Sequence, residues 1–181
     1  MKAWRICCII VMVACDGTVD PTDTDPDTDP DTEPPAVVQL YINEFMADNV
    51  SSLVLHDTFY PDWIELYNPG DQVVDLDGWQ ISDHADEPDR HVFSSTLVVP
   101  SKGFLLLYAD GSAELGADHL QFGLKLTGEE VALTDPYGRR IDWVKFEAQE
   151  PDTAAARERD GDPDADWIYL LHGTPGASNS Q

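Results

Sequence analysis

The stretch DWIELYNPGDQVVDLDGWQISD, Asp62 to Asp83, limits the fold more than any other part of the chain. Its period of two puts Trp63, Glu65 and Tyr67 on one face of a strand, and Ile64, Leu66 and Asn68 on the other. Asn68-Pro69-Gly70-Asp71 then supplies turn chemistry: proline fixes φ, glycine permits a positive φ, and Asn and Asp bond their own backbone. Val73 and Val74 open a second strand, so the stretch predicts a hairpin. Asp77-Gly78 predicts a bend or bulge before Trp79 and Ile81 continue on one face. Pro69, Gly70 and Gly78 would break a helix here.

The chain on either side repeats this pattern. Val37 to Met46 reads as the first strand, and turning both Ile42 and Phe45 inward requires a bulge near Asn43. Leu97 to Val99 is a short strand ended by Pro100. Phe104 to Tyr108 is a continuous apolar run, which predicts a central strand covered on both sides. Leu124 and Leu126, then Val131 and Leu133, alternate. Asp135-Pro136-Tyr137-Gly138 is a turn with proline second. Arg139 to Phe146 is a strand of ambiguous parity. Glu147 to Ala156 reads as loop, with room for one helical turn at Ala154–Arg157. Arg157-Glu158-Arg159 begins a last strand that pairs with Trp167 to Leu170. Short strands separated by Gly, Pro and Asp turns predict an antiparallel β-sandwich.

Beyond this periodicity, IELYNPGDQVVDLDGWQISD resembles the signature of the lamin tail domain. Tyr41 to Asn49, Thr96 to Tyr108, Gly123 to Leu126, Gly128 to Leu133, Asp135 to Gly138, Ile141 to Val144 and Thr174 to Ala177 extend the likeness, which spans nearly everything from Val37 to Asn179. The resemblance implies an all-β, immunoglobulin-like sandwich of the kind found in nuclear lamins and in bacterial envelope proteins. It also implies attachment or substrate presentation rather than catalysis, since bacterial relatives often sit on lipoproteins or beside secreted hydrolases. Fold alone does not assign a role.

The amino terminus points to the envelope independently. Lys2 and Arg5 precede an apolar run, Ile6 to Val13, shorter than the ~20 residues that span a bilayer. Met12-Val13-Ala14-Cys15 resembles a lipobox, so residues 1–14 are expected to be a lipoprotein signal peptide and Cys15 the lipid-attachment residue. Removal of Cys7 and Cys8 with the signal would leave no disulfide and no thiolate metal site. Residues 15–35 carry the anchor and a linker of repeating DPDT, too poor in apolar side chains to fold and extended by proline and like charge. Residues 36–181 form the expected domain. The membrane, inner or outer, is left open, with the domain facing the periplasm or the exterior.

Ten Lys and Arg stand against 35 Asp and Glu, a net charge of −25. Such a surface repels phosphate backbones, so no nucleic-acid partner is expected. Three constellations bear on chemistry. Asn43, Glu44, Asp62, Glu65 and Asn68 are polar residues within apolar strands, read as a hydrogen-bond network ahead of a calcium site. Asp160 to Asp166 alternates aspartates, but Ala165 and Leu171 stand where an EF-hand loop needs glycine and glutamate, so it reads as an acidic surface loop. His56, His84, His91, His119 and His172 lack zinc-motif spacing, and Ser112 lacks a nucleophile elbow. The tryptophans read as core rather than as a glycan platform. The expectation is therefore no catalytic residue, no metal ligand and no cofactor, with an envelope or surface protein or glycan as partner. A calcium- or glycan-binding module, accessory to a secreted hydrolase, is the alternative.

Overall fold

The computed structural model describes residues 35–94 and 97–180. The expected signal segment, Cys15 and the linker through residue 34 lie outside the described residues. In chain order the strands are β1 (Tyr41–Met46), β2 (Asp62–Asn68), β3 (Val74–Asp75), β4 (Gln80–Ser82), β5 (His91–Val92), β6 (Val98–Val99), β7 (Gly103–Ala109), β8 (Gly128–Thr134), β9 (Arg140–Glu147), β10 (Thr153–Arg157) and β11 (Trp167–Leu171). They build a five-stranded sheet in the order β11-β10-β1-β2-β7, a four-stranded sheet β5-β4-β8-β9 and a small β3-β6 ribbon. The strand pairings are antiparallel.

The main core lies between the two larger sheets. Ile42, Phe45, Ile64, Leu66 and Leu107 of one meet Ile81, Val131, Leu133, Val144 and Phe146 of the other. The Phe45 and Phe146 rings pack at a tilt of 47° across the gap, 4.7 Å between centroids. The bulge expected near Asn43 is present: pairing with β2 skips between Ile42 and Glu44, and Ile42 and Phe45 are both fully buried. The alternation read for β2 also holds, with Ile64 and Leu66 in this core.

A second, smaller core lies on the outer face of the five-stranded sheet, where Met46, Trp63 and Ala154 pack with Leu53 and Leu106. A C-terminal strap, residues 173–179, lies over it. Gly173 is where the strap comes closest: a Cβ there would sit 3.0 Å from both Trp63 and Ala154, and its φ of 64° favours glycine. This sheet is therefore covered on both faces, which explains why every residue of β1 is buried.

Three expectations are corrected, and the open parity of β9 is resolved. Asp62 to Asp83 is not a hairpin. β2 pairs with β1 and β7, while β3 pairs with β6 and β4 with β5 and β8. The Asn-Pro-Gly-Asp turn instead carries the chain out of the five-stranded sheet, because a strand buried on both faces needs a neighbour on each side. β7 is at a sheet edge rather than central, shielded by bridges from Tyr108 to His119 and from Asp110 to Gly123. Thr153–Arg157 is neither loop nor helical turn but strand β10, between β1 and β11. Three consecutive alanines favour helix locally, yet their small side chains are what let Phe45's layer and Trp63's layer close on either side. In β9, Val144 and Phe146 face the core, while Asp142 reaches across to β1 and β10.

Candidate functional site

The five polar residues singled out in the sequence do not form one site. Asn68 serves its own turn, accepting from the Gly70 N–H at 2.8 Å and donating to the Val99 carbonyl at 3.2 Å. Asp62 accepts from the Asn49 N–H at 3.2 Å, and burial pushes its carboxyl up to about 6. Asn43, Glu44 and Glu65 do converge, on the outer face of the sheet beneath the strap.

There the bulge at Asn43 turns Glu44 to the same face as Glu65, its cross-strand partner. Glu44 accepts from the Thr174 N–H at 2.9 Å and from the Thr174 hydroxyl at 3.0 Å. Glu65 accepts from the Gly176 N–H at 2.5 Å. Asn43 donates to Asp160 at 3.0 Å, makes a longer 3.4 Å contact to Glu65, and accepts from the Gly161 N–H at 3.2 Å. Asn179 donates back to the carbonyls of Asn43 and Arg157 at 3.2 and 2.9 Å. Burial raises the Glu44 carboxyl to about 7 and the Glu65 carboxyl to about 8.

Two carboxyls poised near neutrality are the raw material of general acid–base catalysis. Here both are fully buried; strap donors take both oxygens of Glu44 and one of Glu65, whose other oxygen faces Asn43. The geometry uses them as pins that satisfy the strap's backbone, which a buried segment requires.

Arg157, which carried no signal in the sequence, organises the acidic loop. Buried at the end of β10, it donates to the Ile42 carbonyl at 2.9 Å and to both oxygens of Asp142 at 3.0 and 2.9 Å. It donates further to the carbonyls of Asp162 and Pro163 at 3.1 Å, and its guanidinium lies 4.8 Å from the Trp167 ring centre. The loop is thus held by its backbone. Its aspartates diverge: Asp160 turns inward to Asn43 and the Asn179 N–H, and Asp162 pairs with Arg159 at 2.7 Å. Among the described residues no group of three or more His, Cys, Asp or Glu side chains is placed to hold a metal ion.

The histidines are scattered. His119 lies 2.7 Å from Asp110, both side chains buried, but Ser112 bonds the Asp110 side of that pair. Ser52 Oγ lies 2.8 Å from His172 Nδ1. The nearby Asp152 carboxylate is directed at the N–H groups of Val50, Ser51 and Ser52, not at His172. A relay runs carboxylate–imidazole–hydroxyl, and neither cluster has that order. Trp63 and Trp79 are core, Trp167 packs against it, and Trp143 is exposed with its indole N–H bonded to Glu130 at 3.1 Å. One surface groove of about 400 Å³ runs beside the Asn-Pro-Gly-Asp turn, lined by Val38, Val73, Val74 and Trp79 with Asp71 and Asp75 at its rim.

Two packed antiparallel sheets whose buried polar groups serve structure define an immunoglobulin-like β-sandwich that offers surfaces for contact. The model of the Lamin Tail Domain family matches residues 33–148, more than half of the chain, and the chain belongs to that family. The family's domain is a non-enzymatic, immunoglobulin-like interaction module. No curated protein matches the chain. The match ends before β10, β11 and the strap, which this chain uses to finish its larger sheet.

Proposed function

We propose that the chain is a non-catalytic envelope lipoprotein that presents its lamin tail domain as an adhesion or interaction module. Cys15 becomes the lipidated first residue, the DPDT tract spaces the domain from the bilayer, and the partner is an envelope or surface protein or a glycan. The observation that carries this reading is Met12-Val13-Ala14-Cys15 placed directly before an acidic, proline-rich tract that leads into an interaction domain. Some twenty residues at about 3.1 Å each reach up to about 60 Å, enough to clear headgroups. One acyl chain holds a protein to a membrane only reversibly, whereas two or more anchor it. The groove at Val38 and Val73 supports the partner reading, because Val73 is 59% exposed beside acidic side chains.

Membrane fractionation tests the anchor. Cys15→Ser is expected to move the protein from the membrane pellet to the soluble fraction. A Cys15→Ser protein that stays in the pellet after a carbonate wash overturns the proposal.

A further inference from the structure

The edges of the two larger sheets differ in how they are protected, and β11 is the exception. β7 is bridged by the 118–123 segment. β5 is two residues long. β9 carries Arg140, Asp142, Lys145 and Glu147. Such short, covered or charged edges are how sheets avoid pairing with other chains. β11, Trp-Ile-Tyr-Leu-Leu, has no charge, proline or bulge, and no other strand among the described residues pairs with its outer side.

Its backbone polarity is fixed by two hydrogen bonds that bracket it. The Glu158 N–H donates to the Asp166 carbonyl at 2.9 Å, and the His172 N–H to the Asp152 carbonyl at 2.7 Å. Antiparallel pairs alternate, so Asp166, Ile168, Leu170 and His172 bond inward to β10. Trp167, Tyr169 and Leu171 therefore turn their N–H and C=O groups outward. On the same face as Phe45 and Ala155, Tyr169 is 66% and Leu171 70% exposed, an apolar strip that the four-stranded sheet does not cover.

We infer that β11 pairs antiparallel with β11 of a second copy, about a two-fold axis through Tyr169. The strand is self-complementary about that residue. Trp167 falls opposite the second copy's Leu171, and Ile168 opposite Leu170. Asp166 falls opposite His172, so no like charges face each other across the join. Every outward backbone group of the three residues gains a partner, and exposed aromatic and aliphatic side chains meet across the join, the kind of pairs that stabilise sheets. An isologous contact of this kind closes on itself and stops at two copies. A single-strand join falls below the ~1,200 Å² of standard interfaces, so the dimer is weak. Each copy carries a net charge of −25, so its affinity rises with salt as repulsion is screened. The inference does not depend on lipid attachment.

Sedimentation equilibrium of the purified full chain tests it, at concentrations up to about 1 mM, where a Kd of that order registers. The expected result is a reversible monomer–dimer equilibrium that tightens with added NaCl. Tyr169→Pro removes an outward N–H while leaving the β10 bonds intact, and Tyr169→Lys puts a charge on the edge. Each is expected to weaken the dimer at least about tenfold, or 1.4 kcal/mol, with an unchanged far-UV spectrum. If Tyr169→Pro loses that spectrum, Tyr169→Lys decides. A wild type that stays monomeric throughout overturns the inference, including one that instead captures an unrelated extended peptide. So does a dimer that the folded variants leave intact.

Discussion

Asp152 and Glu65 each pin a loop to the outer face of the five-stranded sheet, yet their carboxyls are shifted in opposite directions. Burial raises Asp152, but the hydroxyl and N–H of Ser51, with Ser52 and the Val50 N–H, outweigh it and hold the carboxyl down to about 2. Burial pushes Glu65 up to about 8, because one Gly176 N–H and a long contact to Asn43 do not offset it. Glu44 lies between, raised to about 7 despite its bonds to Thr174. The lesson is that the balance of burial against donors decides whether such a pin holds as an anion: Asp152 is the less deeply buried and the better supplied, whereas burial outweighs even the Thr174 bonds at Glu44. Loop 50–52 is fastened by charge, and the strap is fastened best by a neutral acid.

Removing the charged pin should have the larger effect. Asp152→Ala strands the Val50, Ser51 and Ser52 amides that shared one carboxylate, and is expected to cost about 2–3 kcal/mol in urea unfolding at neutral pH. A cost below about 0.5 kcal/mol, the range of ordinary surface changes, would show that water replaces the carboxylate and that the comparison is wrong. At the small end stands Asp162, whose exposed pair with Arg159 contributes little in water. Asp162→Ala is expected to leave the melting temperature unchanged, since Arg157 holds the acidic loop by its backbone. A clear drop would make the Asp162 side chain, and not only the loop's backbone, part of what holds the loop.

The sequence carried much of this architecture where local chemistry and burial agree. Ile42 and Phe45 demanded a bulge at Asn43, Asp135 to Gly138 announced a turn, and Ile64 and Leu66 announced the core face. Legibility failed where distant contacts decide. Ala154 to Ala156 have helical propensity, and only the packing of Phe45 and Trp63 makes them a strand. Val73 and Val74 follow a good turn, yet β2 is already paired on both sides. The polar residues of β1 and β2 could be read as a network, but its real partners, Thr174, Gly176 and Asn179, lie over a hundred positions away. Arg157 reads only as the start of the last strand, because nothing nearby in sequence shows that Asp142 will face it.

Glu44 and Glu65 are structural pins with raised carboxyls. Their folded pKa values exceed the ordinary glutamate value of 4.5, so the stability they contribute is fully present below that pH and is lost as pH rises through about 7 to 8. Asp152 adds the opposite limb, losing its contribution as pH falls from 3.8 toward about 2. Thermal melts of the wild type and Glu65→Gln between about pH 5 and about pH 8 are the direct test. The wild type should lose melting temperature steadily across that range, and Glu65→Gln, neutral throughout, should lose distinctly less. A wild-type melting temperature that is flat or rises over this range, or a Glu65→Gln profile as steep as the wild type's, would contradict it.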